Sequence, residues 1–163
     1  MARGGARRGW IAIAAAAAAA ALVAAGSAAF FLPALGSGPG RADPTDPELV
    51  ALGVEVYAAE CASCHGAALE GQPDWKTPLP TGGLPAPPHD ATGHTWHHPD
   101  RVLFGVVKEG GGAFAPPGFH SNMPAFGDVL SDREIRAVLA YIKSTWPPEI
   151  LAQQRRIDEA AAR

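Results

Sequence analysis

Hydrophobic positions along the chain fall into one long apolar block followed by three short helical stripes. From Trp10 to Leu35 no residue is charged and alanine dominates. As a helix rising about 1.5 Å per residue this block reaches roughly 39 Å, enough for a hydrocarbon core of about 30 Å. A membrane span over residues 10–35 is therefore expected. Downstream, Asp46-Pro47-Glu48 reads as a helix start, with a capping carboxylate, proline at the first helical position and an acid in the first turn. Leu49, Leu52, Gly53, Val56 and Tyr57 then recur at i, i+3, i+4, i+7 and i+8, the spacing of one buried face. A second helix is expected from Pro99 to about Glu109, with Val102, Leu103, Val106 and Val107 on one side, His98 as its N-cap and Gly110-Gly111-Gly112 ending it. In the third, Ser131 and Glu134 form a capping box, Ile135, Val138, Leu139 and Ile142 make the stripe, and Pro147-Pro148 stop it after Trp146. No stretch alternates as a strand does. More than thirty residues separate the first two helices, including Pro73, Pro78, Pro80, Pro85, Pro87 and Pro88, a loop length typical of functional segments. Residues 149–163 read as a tail, a frayed or solvated helix.

Composition sharpens this picture. Of 163 residues 47% are apolar, but much of that is alanine in the first 35, so the remainder can form one small domain. Nineteen Gly and sixteen Pro, concentrated after Gly36, exclude a helical bundle or coiled coil. Aromatics are few, at 7%, which leaves room for a bound cofactor to supply apolar volume. The net charge is −3, yet Arg3, Arg7 and Arg8 all precede the apolar block, leaving ten basic and sixteen acidic residues after it. That part has no electrostatic footprint for nucleic acid. The same three arginines place residues 1–9 in the cytoplasm and everything from Gly36 onward on the far side. A cleaved signal peptide is the alternative, because Ala24 to Ala28 are small residues of the kind a signal peptidase accepts; Phe30, Phe31, Leu32 and Leu35 continue the apolar stretch and favour retention. Residues 36–46, rich in Gly, Pro and Asp, read as a flexible linker.

The chemistry is concentrated in Cys61-Ala62-Ser63-Cys64-His65, a C-x-x-C-H pattern for covalent haem attachment. Two thiols three positions apart at a helix end can each add to one vinyl group of a single porphyrin, and the adjacent His65 is then held beneath the iron. A thioredoxin-type redox pair would need an α/β pattern that is missing, and a structural zinc site a second ligand pair. Apart from Met1, Met123 is the only methionine, in a loop before the last helix followed by Pro124. Its thioether is expected as the second axial ligand, a soft donor that raises the potential.

On these residues the chain resembles the class I cytochromes c over about residues 47–148, and in particular the small membrane-anchored bacterial monohaem type. Gly53 and Tyr57 match that family's small and aromatic positions on the first helix, Val138 and Tyr141 match their partners on the last, and Met123-Pro124-Ala125-Phe126 looks like a bacterial Met loop. The resemblance implies an all-α cytochrome c fold, three to four short helices with long loops around one covalent haem c, held through Cys61 and Cys64 and ligated by His65 and Met123. It implies an electron carrier rather than an enzyme, in the bacterial inner membrane with its haem domain in the periplasm. The donor would be a quinol-oxidising complex or a periplasmic dehydrogenase, the acceptor a terminal oxidase or reductase. Two departures stand out. The proline whose carbonyl accepts from the proximal histidine normally lies nearer the haem motif, which leaves Pro85 and Pro87 as alternatives. The stretch from Asp90 to His98 is also longer and richer in histidine.

His89, Asp90, His94, His97 and His98 invite a copper or zinc site, though side chains capping a helix, meeting a haem propionate or lying in solvent account for them as well. A haem peroxidase or ligand sensor, with His120 as a distal base, is the rival from another class.

Overall fold

The computed structural model describes residues 41–163, so the N-terminus at 1–9 expected in the cytoplasm, the expected membrane span at 10–35 and residues 36–40 of the linker lie outside the described residues. Among the described residues no helix is long and apolar enough to cross a membrane, and none forms a strand.

The first helix, α1, runs Pro47–Val56 and starts as its sequence dictates: an Asp46 side-chain oxygen accepts from Glu48 N at 3.0 Å and Leu49 N at 3.1 Å. The backbone then widens into a π turn, Tyr57–Cys61, and tightens again into α2, Ala62–His65. Such a widened turn rotates the next segment relative to the preceding stripe. Gly66, at φ 82, ends the run.

After the proline-rich loop a 3-10 turn, Thr95–His97, leads into α3, Asp100–Glu109. The residue in the cap position is Pro99, in extended backbone, rather than the expected His98. Proline has no side chain that can cap, and the cap comes from elsewhere in the chain: an Asp158 carboxylate oxygen accepts from Asp100 N at 2.9 Å. The fourth helix, α4, Asp132–Ser144, carries the anticipated capping box, with Ser131 N donating to Glu134 Oε2 at 2.8 Å and Glu134 N to Ser131 Oγ at 3.3 Å.

Helix α4 is the centre of the core. Ile135, Ala137, Val138, Leu139, Ala140 and Ile142 are all buried on it, and its most extensive contact is with α1. Gly53 makes that crossing possible, since a Cβ there would run into the Ala137 carbonyl oxygen and lie 2.8 Å from Tyr141 Cβ. The close approach is thus onto Ala137 and Tyr141, with Val138 buried in the core. Tyr57 meets Tyr141 edge-on at 5.4 Å between ring centroids.

The C-terminal residues are not a frayed or solvated tail. They form α5, Pro148–Ala161, whose Ile150 and Leu151 pack on the core and whose Gln154 is fully buried. Gln154 donates to His98 O at 3.3 Å and Asp100 Oδ1 at 2.8 Å, and buried Lys143 donates to both Asp100 oxygens at 2.8 Å. A helix that docks through buried amide and carboxylate groups reads as polar in sequence.

Candidate functional site

The π turn and α2 deliver Cys61, Cys64 and His65 from the buried end of α1, and Tyr57 holds the turn in place. Its hydroxyl donates to Gly66 O at 3.0 Å and, more weakly, to His65 O at 3.4 Å. Burial raises the Tyr57 phenol well above its ordinary value, so it stays a protonated donor. Both cysteines are free thiols, Cys61 half-buried and Cys64 exposed. Burial, reinforced by Glu60 and Cys64, pushes the Cys61 thiol up to about 11.

His65 is buried, and its Nδ1 lies 2.8 Å from the Pro87 carbonyl oxygen. A carbonyl only accepts, so Nδ1 carries the proton and Nε2 is left with a free lone pair. Among the described residues the one hydrogen bond of the His65 ring is that through Nδ1. Burial lowers the His65 pKa, opposed by the bond to Pro87, which favours the neutral, ligating form. Pro87, not Pro85, therefore supports the imidazole.

Local pairing of two loop segments carries Pro87 there. Gln72 N donates to Ala86 O at 2.9 Å and His89 N to Leu69 O at 2.8 Å, while Gly71 N reaches back to His65 O at 2.8 Å. The turn between needs left-handed backbone at Leu69 (φ 69) and Gly71 (φ 69), and a Cβ on Gly71 would lie 2.7 Å from the Pro87 carbonyl carbon.

His89 has a role that the sequence concealed. Its ring stacks on His65 at 4.0 Å between centroids, 25° from parallel, and its Nδ1 lies 2.7 Å from Thr95 Oγ1. Trp146 Nε1 donates to its carbonyl at 2.8 Å. Burial, reinforced by His65, drops the His89 pKa to about 3, so the ring is neutral. Its adjacency to Pro87-Pro88 was the available signal, since whatever places the Pro87 carbonyl on His65 brings the next residues with it.

Met123 is half-buried on a loop stitched to the end of α3: Phe126 N donates to Val107 O at 3.0 Å, Gly127 N to Lys108 O at 3.0 Å and Gly111 N to Met123 O at 3.2 Å. The first two satisfy carbonyls that the helix end leaves open, and the third ties the Met123 carbonyl to the segment just past it. The contacts that fix Met123 are with Ser121 and Gly111 rather than with the Cys61–His65 segment. His120 is exposed on the same loop and packs over Gly82 and Gly83.

The histidine cluster is divided. His89 points inward to His65, and Asp90 folds back on Thr92, accepting from its N at 2.8 Å and its Oγ1 at 2.6 Å. Among the described residues no three His, Cys, Asp or Glu side chains converge to hold a metal ion.

The donor set fits a covalent haem c: two free thiols on one helix end and, beside them, an imidazole with Nδ1 committed to a carbonyl and Nε2 open. An all-helical fold presenting that set defines a haem-binding protein of the C-x-x-C-H type. The cytochrome c family model matches residues 50–146, and the chain belongs to the cytochrome c family, in its class I form, carrying one covalent haem c. It is also similar to the crystal structure of cytochrome CL from the marine methylotrophic bacterium Methylophaga aminisulfidivorans, with 22% identity and a TM-score of 0.46 over 68% of this chain. The chain spans 63% of the length of that protein. No curated protein matches it significantly.

Proposed function

We propose that this cytochrome c carries single electrons with His65 and Met123 as its axial ligands, between a quinol-oxidising complex or exported dehydrogenase and a terminal oxidase or reductase. When bound, the haem supplies a reversible one-electron iron couple. The observation that carries the reading is the His65 geometry, an imidazole whose outer nitrogen is tied to Pro87 and whose inner nitrogen is free. Tyr57 fixes the turn that holds both thiols, and His89 keeps the other face of the His65 ring out of water. Met123 is a soft donor on a loop tied by three backbone bonds to the α3 end, which supports its candidacy as the second ligand. If His65 and Met123 both held the iron, no position would be left for substrate, which would favour electron transfer over peroxidase or sensor chemistry.

The exported, membrane-tethered location rests on the apolar block at 10–35 and the arginines before it. Tethering raises the local concentration of a domain whose partner contacts are small and transient.

Met123→Ala tests the ligand assignment. It should leave the haem attached, lower the reduction potential and let cyanide bind the ferric iron. An unchanged potential refutes the role of Met123. Alkaline washing of cell membranes tests the tether, and release of the haem protein into the wash refutes it.

A further inference from the structure

His94 and His98 stand apart from the rest of the cluster. The 3-10 turn between them is closed by His97 N donating to His94 O and His98 N donating to Thr95 O, both at 3.2 Å. This folds the i, i+4 pair so that the two Nε2 atoms lie 2.9 Å apart. One ring donates a proton to the other, and His94 is exposed and His98 half-buried. Among the described residues neither ring has another side-chain hydrogen-bond partner, and the nearby carboxylate, Asp90, is spent on its own turn.

Two imidazole nitrogens this close can serve as neighbouring ligands of one metal ion. With bonds of about 2.0 Å, two cis nitrogens of a square-planar ion subtend about 90° and lie about 2.8 Å apart; in a tetrahedral zinc site they lie about 3.3 Å apart. The observed 2.9 Å is the length of the hydrogen bond between the two rings; it brings both nitrogens within reach of one ion, and the preference for copper rests on the imidazole ligand type. We propose that His94 and His98 form a two-histidine chelate for Cu(II), completed by water. On binding, the donor ring moves its Nε2 proton to Nδ1 through solvent, so both Nε2 lone pairs face the metal and no net proton is lost. Copper outranks nickel and zinc at an imidazole site of this shape. Burial lowers the pKa of both rings, with smaller contributions from the neighbouring His97 and Lys76 at His94 and from His94 and His97 at His98; proton competition at neutral pH is correspondingly weak. Lys76 also opposes a cation, which limits the affinity without altering the bite of the pair.

The test uses oxidised, haem-loaded protein titrated with Cu(II), followed by electron paramagnetic resonance in the copper region. One equivalent should bind with hyperfine splitting from two nitrogens. His94→Ala and His98→Ala should each weaken that site by about a hundredfold, because the second ligand of a chelate acts at a high effective concentration. His97→Ala should retain it, and an unchanged haem spectrum in all three shows that the fold is intact. Copper binding that survives both single substitutions overturns the assignment. So does zinc binding more tightly than copper in a parallel titration.

Discussion

Replacing Gly53 with alanine places one methyl group where α1 meets the backbone of α4. The new carbon would lie 2.6 Å from the Ala137 carbonyl carbon and 2.8 Å from Tyr141 Cβ. Ordinary contact between carbons begins near about 3.5 Å, so the helices must part by roughly 1 Å. No side-chain rotation relieves the clash, since the obstacle is backbone. A gap of that size forfeits about a quarter to a half of the dispersion wells along the interface, and overpacking of this kind costs about 1–3 kcal/mol. We take the upper end, about 3 kcal/mol, less about 1 kcal/mol for the better helix propensity of alanine. The net destabilisation is about 2 kcal/mol, a fall of roughly 6–12 °C in Tm for a domain of this size. Thermal unfolding of the haem-loaded protein, followed by far-UV circular dichroism, measures it. Gly112→Ala is the control, since nothing lies within 4 Å of its would-be Cβ. A Gly53→Ala protein that melts at or above the parent temperature refutes the close-approach argument.

Gly71→Ala strains a left-handed turn and presses on the Pro87 carbonyl, so the bond to His65 Nδ1 should lengthen. A less basic imidazole should raise the reduction potential, and a redox titration that finds no change counts against Pro87 as the supporting carbonyl. Asp100→Ala leaves buried Lys143 without its carboxylate and should cost about 3–5 kcal/mol in denaturant unfolding; a loss under about 1 kcal/mol contradicts the buried-pair reading. The Glu134 carboxyl lies below its ordinary range because Ser131 donates to it through side chain and backbone. Its contribution is therefore present above the ordinary carboxylate value and lost as the pH falls through the depressed one, and Glu134→Gln should flatten the acid limb of the stability curve.

Features encoded by adjacent residues were legible in the sequence. The Asp46 cap, the Ser131–Glu134 box and the C-x-x-C-H segment all rest on local spacing, and the structure contains each; the facing of Gly53 with Tyr141 was implied by the family resemblance alone. The identity of the supporting proline was not legible, because it depends on Leu69–Gln72 pairing with Ala86–His89 through left-handed turns, a matter of loop closure rather than composition. Docking of α5 was hidden for a different reason. Besides Ile150 and Leu151, its docking contacts are made by Gln154 and Asp158, which a hydrophobic pattern counts as solvent-facing. The histidine run was divided by the fold: His89 packs inward, Asp90 closes its own turn, His94 and His98 form an outward pair and His97 stacks on Trp96.

The two sides of the site depend on different helices, and this assigns α5 its part. His65 and both thiols are placed by α1, whose position is set by its crossing with α4. The Met123 loop hangs from the end of α3 through Val107 and Lys108. How far Met123 stands from His65 is therefore decided by how α3 sits on α4. Beside the apolar contact through Leu103, the buried polar link between those helices is Lys143 with Asp100, at the N-terminus of α3, and α5 completes it: Gln154 donates to Asp100, and Asp158 caps the Asp100 amide. Near the other end, Lys108 pairs with Asp132 at 2.8 Å, but both side chains are solvent-exposed and such pairs contribute little. The polar junction buried under α5 thus holds the register of α3, and through it the spacing of the proposed ligands, although no residue of α5 approaches the haem motif in sequence.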